Sequence, residues 1–83
     1  MGKSMNEIID NIEYEYSRAI NTYTNTRYET PFVVATLNRL LVKVERLNFF
    51  YITKEHSKKI RKIKTKIQKS LNEILQKEEE YGK

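Results

Sequence analysis

Apolar residues recur at every third or fourth position along most of this 83-residue chain, in three separate runs. That spacing places them on one face of a helix, and it is unlike the strict alternation of a half-buried strand. Little interrupts the pattern, because glycine stands only at positions 2 and 82 and proline only at 31. The chain is therefore expected to be all-α, a single domain over residues 1–83 with three main helices.

The first run is Met5, Ile8, Ile9, Ile12, Tyr16, Ala19, Ile20 and Tyr23, which predicts a helix over residues 5–23. Ser4 followed by Glu7 reads as a capping box at its start. Residues 24–29 lose the period and favour a turn. Thr30-Pro31 then signals a second start, with threonine as N-cap and proline at the first helical position, where its missing N–H costs nothing. The second helix, residues 31–48, carries Val34, Leu37, Leu40, Leu41, Val44 and Leu47, widened by Val33 and Val42. A stripe that wide belongs to the central, most buried helix.

The bulky run Leu47-Asn48-Phe49-Phe50-Tyr51-Ile52 cannot sit on one helical face and is expected to end the second helix and form a connection. Thr53 is a suitable N-cap for a third helix over residues 54–79, which can continue to Tyr81. Its stripe is Ile60, Ile63, Ile67, Leu71, Ile74 and Leu75, fading where Glu78 replaces the next apolar residue. This helix would span roughly 40 Å against about 28 Å for the other two, so it must overhang or bend. Connections of about six residues favour antiparallel neighbours, giving an up-down-up bundle. A core this small, without cysteine, needs well-patterned helices or a second copy of the chain, so a homodimer is a candidate state.

Charge is strongly segregated. Residues 1–30 carry three basic and five acidic side chains, and residues 31–53 carry three and one. Residues 54–69 carry eight basic side chains against Glu55 alone, and residues 70–83 carry two against four. On a helical wheel Lys54, Lys58, Lys62, Lys66 and Lys69 lie opposite the isoleucine stripe, flanked by Lys59, Arg61 and Lys64. A solvated face is one reading; pairing with Glu7, Asp10 and Glu13 of the first helix is a second. A third is an interaction surface. Lysines at i,i+4 repel one another by roughly 0.2–0.5 kcal/mol per contact. Cations at the start of the helix and Glu78-Glu79-Glu80 at its end both oppose the macrodipole. A helix that gives up local stability in this way suits an anionic partner.

Equipment for catalysis is missing. One histidine, His56, and no cysteine cannot assemble a zinc site or a Cys/His nucleophile, and His56 is expected to edge the core. Two isolated glycines make no phosphate-binding loop, and Glu13 and Glu15 point to different faces of their helix. The expectation is a binding protein rather than an enzyme, with no cofactor, metal or small-molecule substrate. No apolar run reaches membrane-spanning length and the N-terminus lacks a signal-peptide pattern, which points to the cytoplasm, with room for peripheral attachment at the inner face of the membrane.

Two partner classes remain. A sequence pI near 9.5 and the lysine block meet the first requirement of a small nucleic-acid-associated or regulatory protein. The block holds one arginine and no amide side chain before Gln68, so such binding would be salt-sensitive and blind to sequence. The other class is a protein or membrane-embedded partner, for which Phe49, Phe50 and Tyr51 offer an aromatic anchor when they are not capping the bundle.

Residues Thr30 to Ile63, TPFVVATLNRLLVKVERLNFFYITKEHSKKIRKI, resemble the immunity proteins of pediocin-like, class IIa bacteriocins. That family has a proline at a helix start and an asparagine about seven positions on, matched by Pro31 and Asn38. After a short connection comes a pattern of aliphatic, Ser/Thr, two variable residues, a polar residue, Ser-Lys-Lys and an aliphatic residue. Ile52, Thr53, His56, Ser57, Lys58, Lys59 and Ile60 occupy it. The resemblance implies a shortened relative of a four-helix bundle, one N-terminal helix short and without the glycine often found before Ile52. It also implies a cytosolic protein that protects its producer by recognising a bacteriocin-engaged membrane receptor, a permease of the mannose phosphotransferase type. The C-terminal half, which here carries Phe49, Phe50, Tyr51, Lys54, Lys58, Lys59, Arg61, Lys62 and Lys66, would set which bacteriocin is countered.

Overall fold

The structure, a computed structural model, describes residues 4–25, 30–47 and 53–81, the side chains of 78–81 excepted. Within these residues the chain is three helices packed against one another, with no strand. They are α1 (Met5–Asn25), α2 (Thr30–Leu47) and α3 (Lys54–Tyr81).

Two of the three helix starts follow from their capping residues. The Glu7 amide donates to Ser4 Oγ at 3.2 Å, and the Ile8 amide to the Ser4 carbonyl at 3.0 Å. Thr53 does the same for α3, accepting at Oγ1 from the His56 amide (3.2 Å) and at its carbonyl from Ser57 (2.9 Å). Each hydroxyl satisfies an amide that has no partner within the helix. The start of α2 differs from expectation: Thr30 lies inside the helix and is buried rather than flanking it as a cap. Pro31 still falls in the first turn, where amides go unpaired anyway.

Helix α1 runs two residues past the expected end at Tyr23. Its last turn recruits its own polar side chains: Thr24 Oγ1 donates to the Ile20 carbonyl (2.9 Å) and Asn25 Nδ2 to Asn21 Oδ1 (3.2 Å). Residues 24 and 25 read as a turn because Thr and Asn compete with the backbone; here that competition takes the form of bonds to the preceding turn, which suit a helix end. The predicted aromatic connection, including Phe49, Phe50 and Tyr51, lies outside the described residues.

Interhelical ties set the topology. The His56 imidazole Nε2 lies 3.0 Å from Asn6 Oδ1, and the Tyr16 and Ser70 hydroxyls share a hydrogen bond of 2.6 Å. Both ties advance in the same direction, so α1 and α3 are parallel. Between α1 and α2 the order reverses: Ala19 and Thr22 face Phe32 and Thr36, whereas Ile8 and Asn11 face Arg46 and Leu47. The up-down-up arrangement is that expected from the short connections.

The core is Ile9, Ile12 and Ala19 of α1, Val33, Leu37, Leu40, Val44 and Leu47 of α2, and Ile60, Ile63, Ile67, Leu71 and Ile74 of α3. Helix α2 is the central element, with Val33, Leu37, Leu40 and Val44 fully enclosed. Its seam is narrower than the expected stripe: Leu37, Leu40, Val44 and Leu47 are buried as expected, joined by Val33. Positions 33, 37, 40, 44 and 47 keep a steady four-three spacing that faces both neighbours, which moves Val34 and Leu41 to the flank and leaves Val42 exposed. Leu75, expected in the core, is also exposed, since the buried stripe of α3 ends at Ile74.

The molecule measures 45 × 20 × 15 Å, its long axis close to the ~42 Å that 28 helical residues span. A hollow between α1 and α3 is lined by Ile20, Tyr23 and Thr24 on one side and Ser70, Glu73, Ile74 and Lys77 on the other. The two helices thus keep company as far as Lys77, and the overhang of α3 is its last turn.

Candidate interaction face on the third helix

Because the isoleucine stripe of α3 is locked against α1 and α2, the residues opposite it have to face outward. Lys54, Lys58, Lys59, Arg61, Lys62, Lys66 and Lys69 are all exposed. Among the described residues none of them lies in an ion pair. The one α3 cation that does is Lys64, at the edge of the core stripe, whose Nζ is 3.8 Å from Glu45 Oε1 of α2. Lys58, Arg61, Lys62 and Lys66, with Thr65, line a shallow hollow whose walls are largely their aliphatic stems.

Pairing of this face with α1, one of the three readings open from the sequence, is not seen among the described residues. Glu7, Asp10 and Glu13 are exposed, and among the described residues none forms an ion pair with an α3 lysine. The acidic residue of α1 that does pair is Glu15, and it turns to the other neighbour. Its Oε2 lies 3.5 Å from Arg39 Nη2 and 3.8 Å from Lys43 Nζ, both of α2. That oxygen is shielded from solvent and has no hydrogen bond, so the two cations hold it by charge alone. Complementarity is satisfied across the α1–α2 groove, and among the described residues the lysine column has no ion-pair partner.

His56 is half-buried and bonded to Asn6, in keeping with its expected place at the edge of the core. Its neighbours Ser57, Lys58 and Lys59 start α3 with the serine half-buried and the two lysines outward. No group of three or more His, Cys, Asp or Glu among the described residues could hold a metal ion, and no helix there is long and apolar enough to cross a membrane.

A second surface was not anticipated. Phe32 is 63% exposed, beside the α1–α2 hollow, and Tyr14 62%, on the outer face of α1. Arg18 stands over the Tyr14 ring, 5.9 Å from its centroid, and a hollow beside them has Ala19, Thr22 and Thr36 among its lining. The signal for their exposure lies in their phase: Tyr14 falls outside the stripe of α1, and Phe32 one position before that of α2.

Comparison with protein-family models, with curated proteins and with solved structures yields no match. Function must be argued from the bundle and its surfaces.

Proposed function

We propose that the chain is an immunity protein against a class IIa bacteriocin, acting by binding at the cytosolic side of the bacteriocin-engaged receptor. The observation that carries this reading is the unpaired basic face of α3. It includes Lys58 and Lys59 of Ser57-Lys58-Lys59, within the part of the sequence that resembles that family, and it is costly to helix stability with no ion pair among the described residues to offset the cost. A solvated helix face gains nothing from a column of like charges; a face that meets an anionic surface does. The mannose phosphotransferase-type permease is the receptor that the resemblance supplies.

Expression in a bacteriocin-sensitive strain, challenged with a panel of class IIa bacteriocins, tests the proposal. The expected outcome is a rise in inhibitory concentration for at least one peptide, and no shift for any of them defeats it. Charge reversal at Lys58→Glu and Lys62→Glu together is expected to reduce protection at least tenfold while the helical circular dichroism is retained. Full protection by that folded double variant would remove the basic face from the mechanism.

The runner-up is a small nucleic-acid-associated protein, favoured by the concentration of eight cations within residues 54–69. It requires binding to DNA or RNA that falls steeply as salt rises.

A further inference from the structure

We infer that the immediate partner of the α3 basic face is an anionic phospholipid surface, onto which the bundle lies with the α3 axis along the membrane plane. This concerns the face used in the proposed function and rests on that reading only for placing it at a membrane.

Three features select lipid headgroups. The first is shape. From Lys54 to Lys69 the exposed cations run about 22 Å along the helix and fan over roughly 160° of its circumference. This is a convex ridge one helix wide, with no second element among the described residues raising a wall to make a groove. A flat leaflet of mobile headgroups can meet such a fan along its whole length, whereas a straight helix laid in the curved major groove of a duplex meets phosphates over part of its length. The second is the surrounding charge. Exposed Glu7, Asp10 and Glu13 stand on α1, the helix parallel to the ridge, without ion pairs among the described residues. They would repel a polyanion wide enough to reach past the ridge, while a plane resting on its crest meets the lysines first.

The third feature is the character of the side chains. The face is lysine with the single exception of Arg61, and the hollow among Lys58, Arg61, Lys62, Thr65 and Lys66 is walled mainly by aliphatic stems. Such stems settle among headgroup and glycerol atoms while the ammonium groups reach phosphate. Anionic leaflets draw juxtaposed lysines at about fivefold in partitioning per residue. With the ridge on the membrane, the hollow between α1 and α2 that Arg18 and Phe32 line is left facing away, open to a protein.

Co-sedimentation of the whole chain with vesicles tests the inference, using phosphatidylcholine alone or with 30% phosphatidylglycerol at low salt. Lys62→Glu is compared with Arg46→Glu, which changes the net charge equally. Arg46 lies on the other side of the bundle, lining the α1–α2 hollow with Ile8 and Asn11. The expected results are binding to the anionic vesicles only, a loss of about 25-fold for Lys62→Glu and a change below about threefold for Arg46→Glu. No binding to the anionic vesicles overturns the inference, as does equal loss in both variants, which would mean attraction by net charge alone. Tighter binding to a mixed-sequence duplex DNA than to the anionic vesicles also overturns it, in favour of nucleic acid. Protection in cells is a separate readout: docking without protection defeats the immunity reading alone, and protection without docking defeats this one alone.

Discussion

Leu71 and Leu75 stand one helical turn apart on α3, yet Leu71 is 8% exposed and Leu75 47%. Truncation at the first leaves a hole between packed helices; truncation at the second removes atoms already in water. Leu71→Ala is therefore expected to cost about 2–4 kcal/mol, and Leu75→Ala less than about 0.5 kcal/mol. Against a total stability of roughly 4–12 kcal/mol for a chain of this size, the first variant should melt at much lower urea and the second should overlay the parent. Comparable losses would mean that Leu75 is buried in solution. Single residues were legible in the sequence where local chemistry decides their place. Ser4 and Thr53 cap helices because their hydroxyls reach amides three residues on, whatever the rest of the fold does. Residues on the shoulder of a stripe were not legible. Val33 and Val34 are equally apolar, and which of them is enclosed depends on how α2 is rotated between two neighbours, a property of the assembly. The same holds for Phe32, whose size argued for burial and whose phase argued against it.

At the scale of an element, α3 is the helix whose sequence works against itself. Lys58, Lys62 and Lys66 are exposed, successive by i,i+4, and among the described residues unpaired. Lys62→Glu turns two repulsive contacts into two attractive ones, each contact worth roughly 0.2–0.5 kcal/mol in either direction. The variant is expected to be more stable than the parent by about 1 kcal/mol, read as a higher urea midpoint at low ionic strength. Added salt screens the repulsion in the parent and the attraction in the variant, so the two midpoints should converge between low and high salt. A less stable variant would show that Lys62 has a stabilising contact. Helix existence and order were fully legible, since periodicity, caps and the absence of breakers agree across each run. The exposed lysine column was legible too, because its position on the wheel needs no neighbour. What α1 does about it was not: Glu7, Asp10, Glu13 and Glu15 were all available, and the rotation of α1 gave Glu15 to Arg39 and Lys43 and left the column bare.

For the molecule as a whole, the open question from the sequence was whether three helices suffice or a second copy completes the core. The thirteen-residue core is drawn from α1, α2 and α3, with six of its side chains essentially inaccessible. The large apolar residues exposed among those described are Tyr14, Phe32, Val42 and Leu75. They share no seam. Tyr14 belongs to the outer face of α1, Phe32 to the α1–α2 side, Val42 to the opposite side of α2 from its buried stripe, and Leu75 to the distal part of α3. A stable dimer ordinarily covers about 800 Å² per partner with an apolar centre, and the four, dispersed over separate faces, supply no such centre among the described residues. The formal net charge of +5 adds repulsion between copies. The expected state is thus a monomer, and the elongation comes from α3 outreaching its neighbours rather than from a shared core. Sedimentation equilibrium up to several hundred micromolar should return the 10.0 kDa chain mass throughout. A dimer at micromolar concentration would contradict this, and the variants Phe32→Ser and Leu75→Ser would then show which apolar residue holds it. If the monomer is observed, every exposed face of the bundle, the lysine ridge and the aromatic groove alike, is free for other partners.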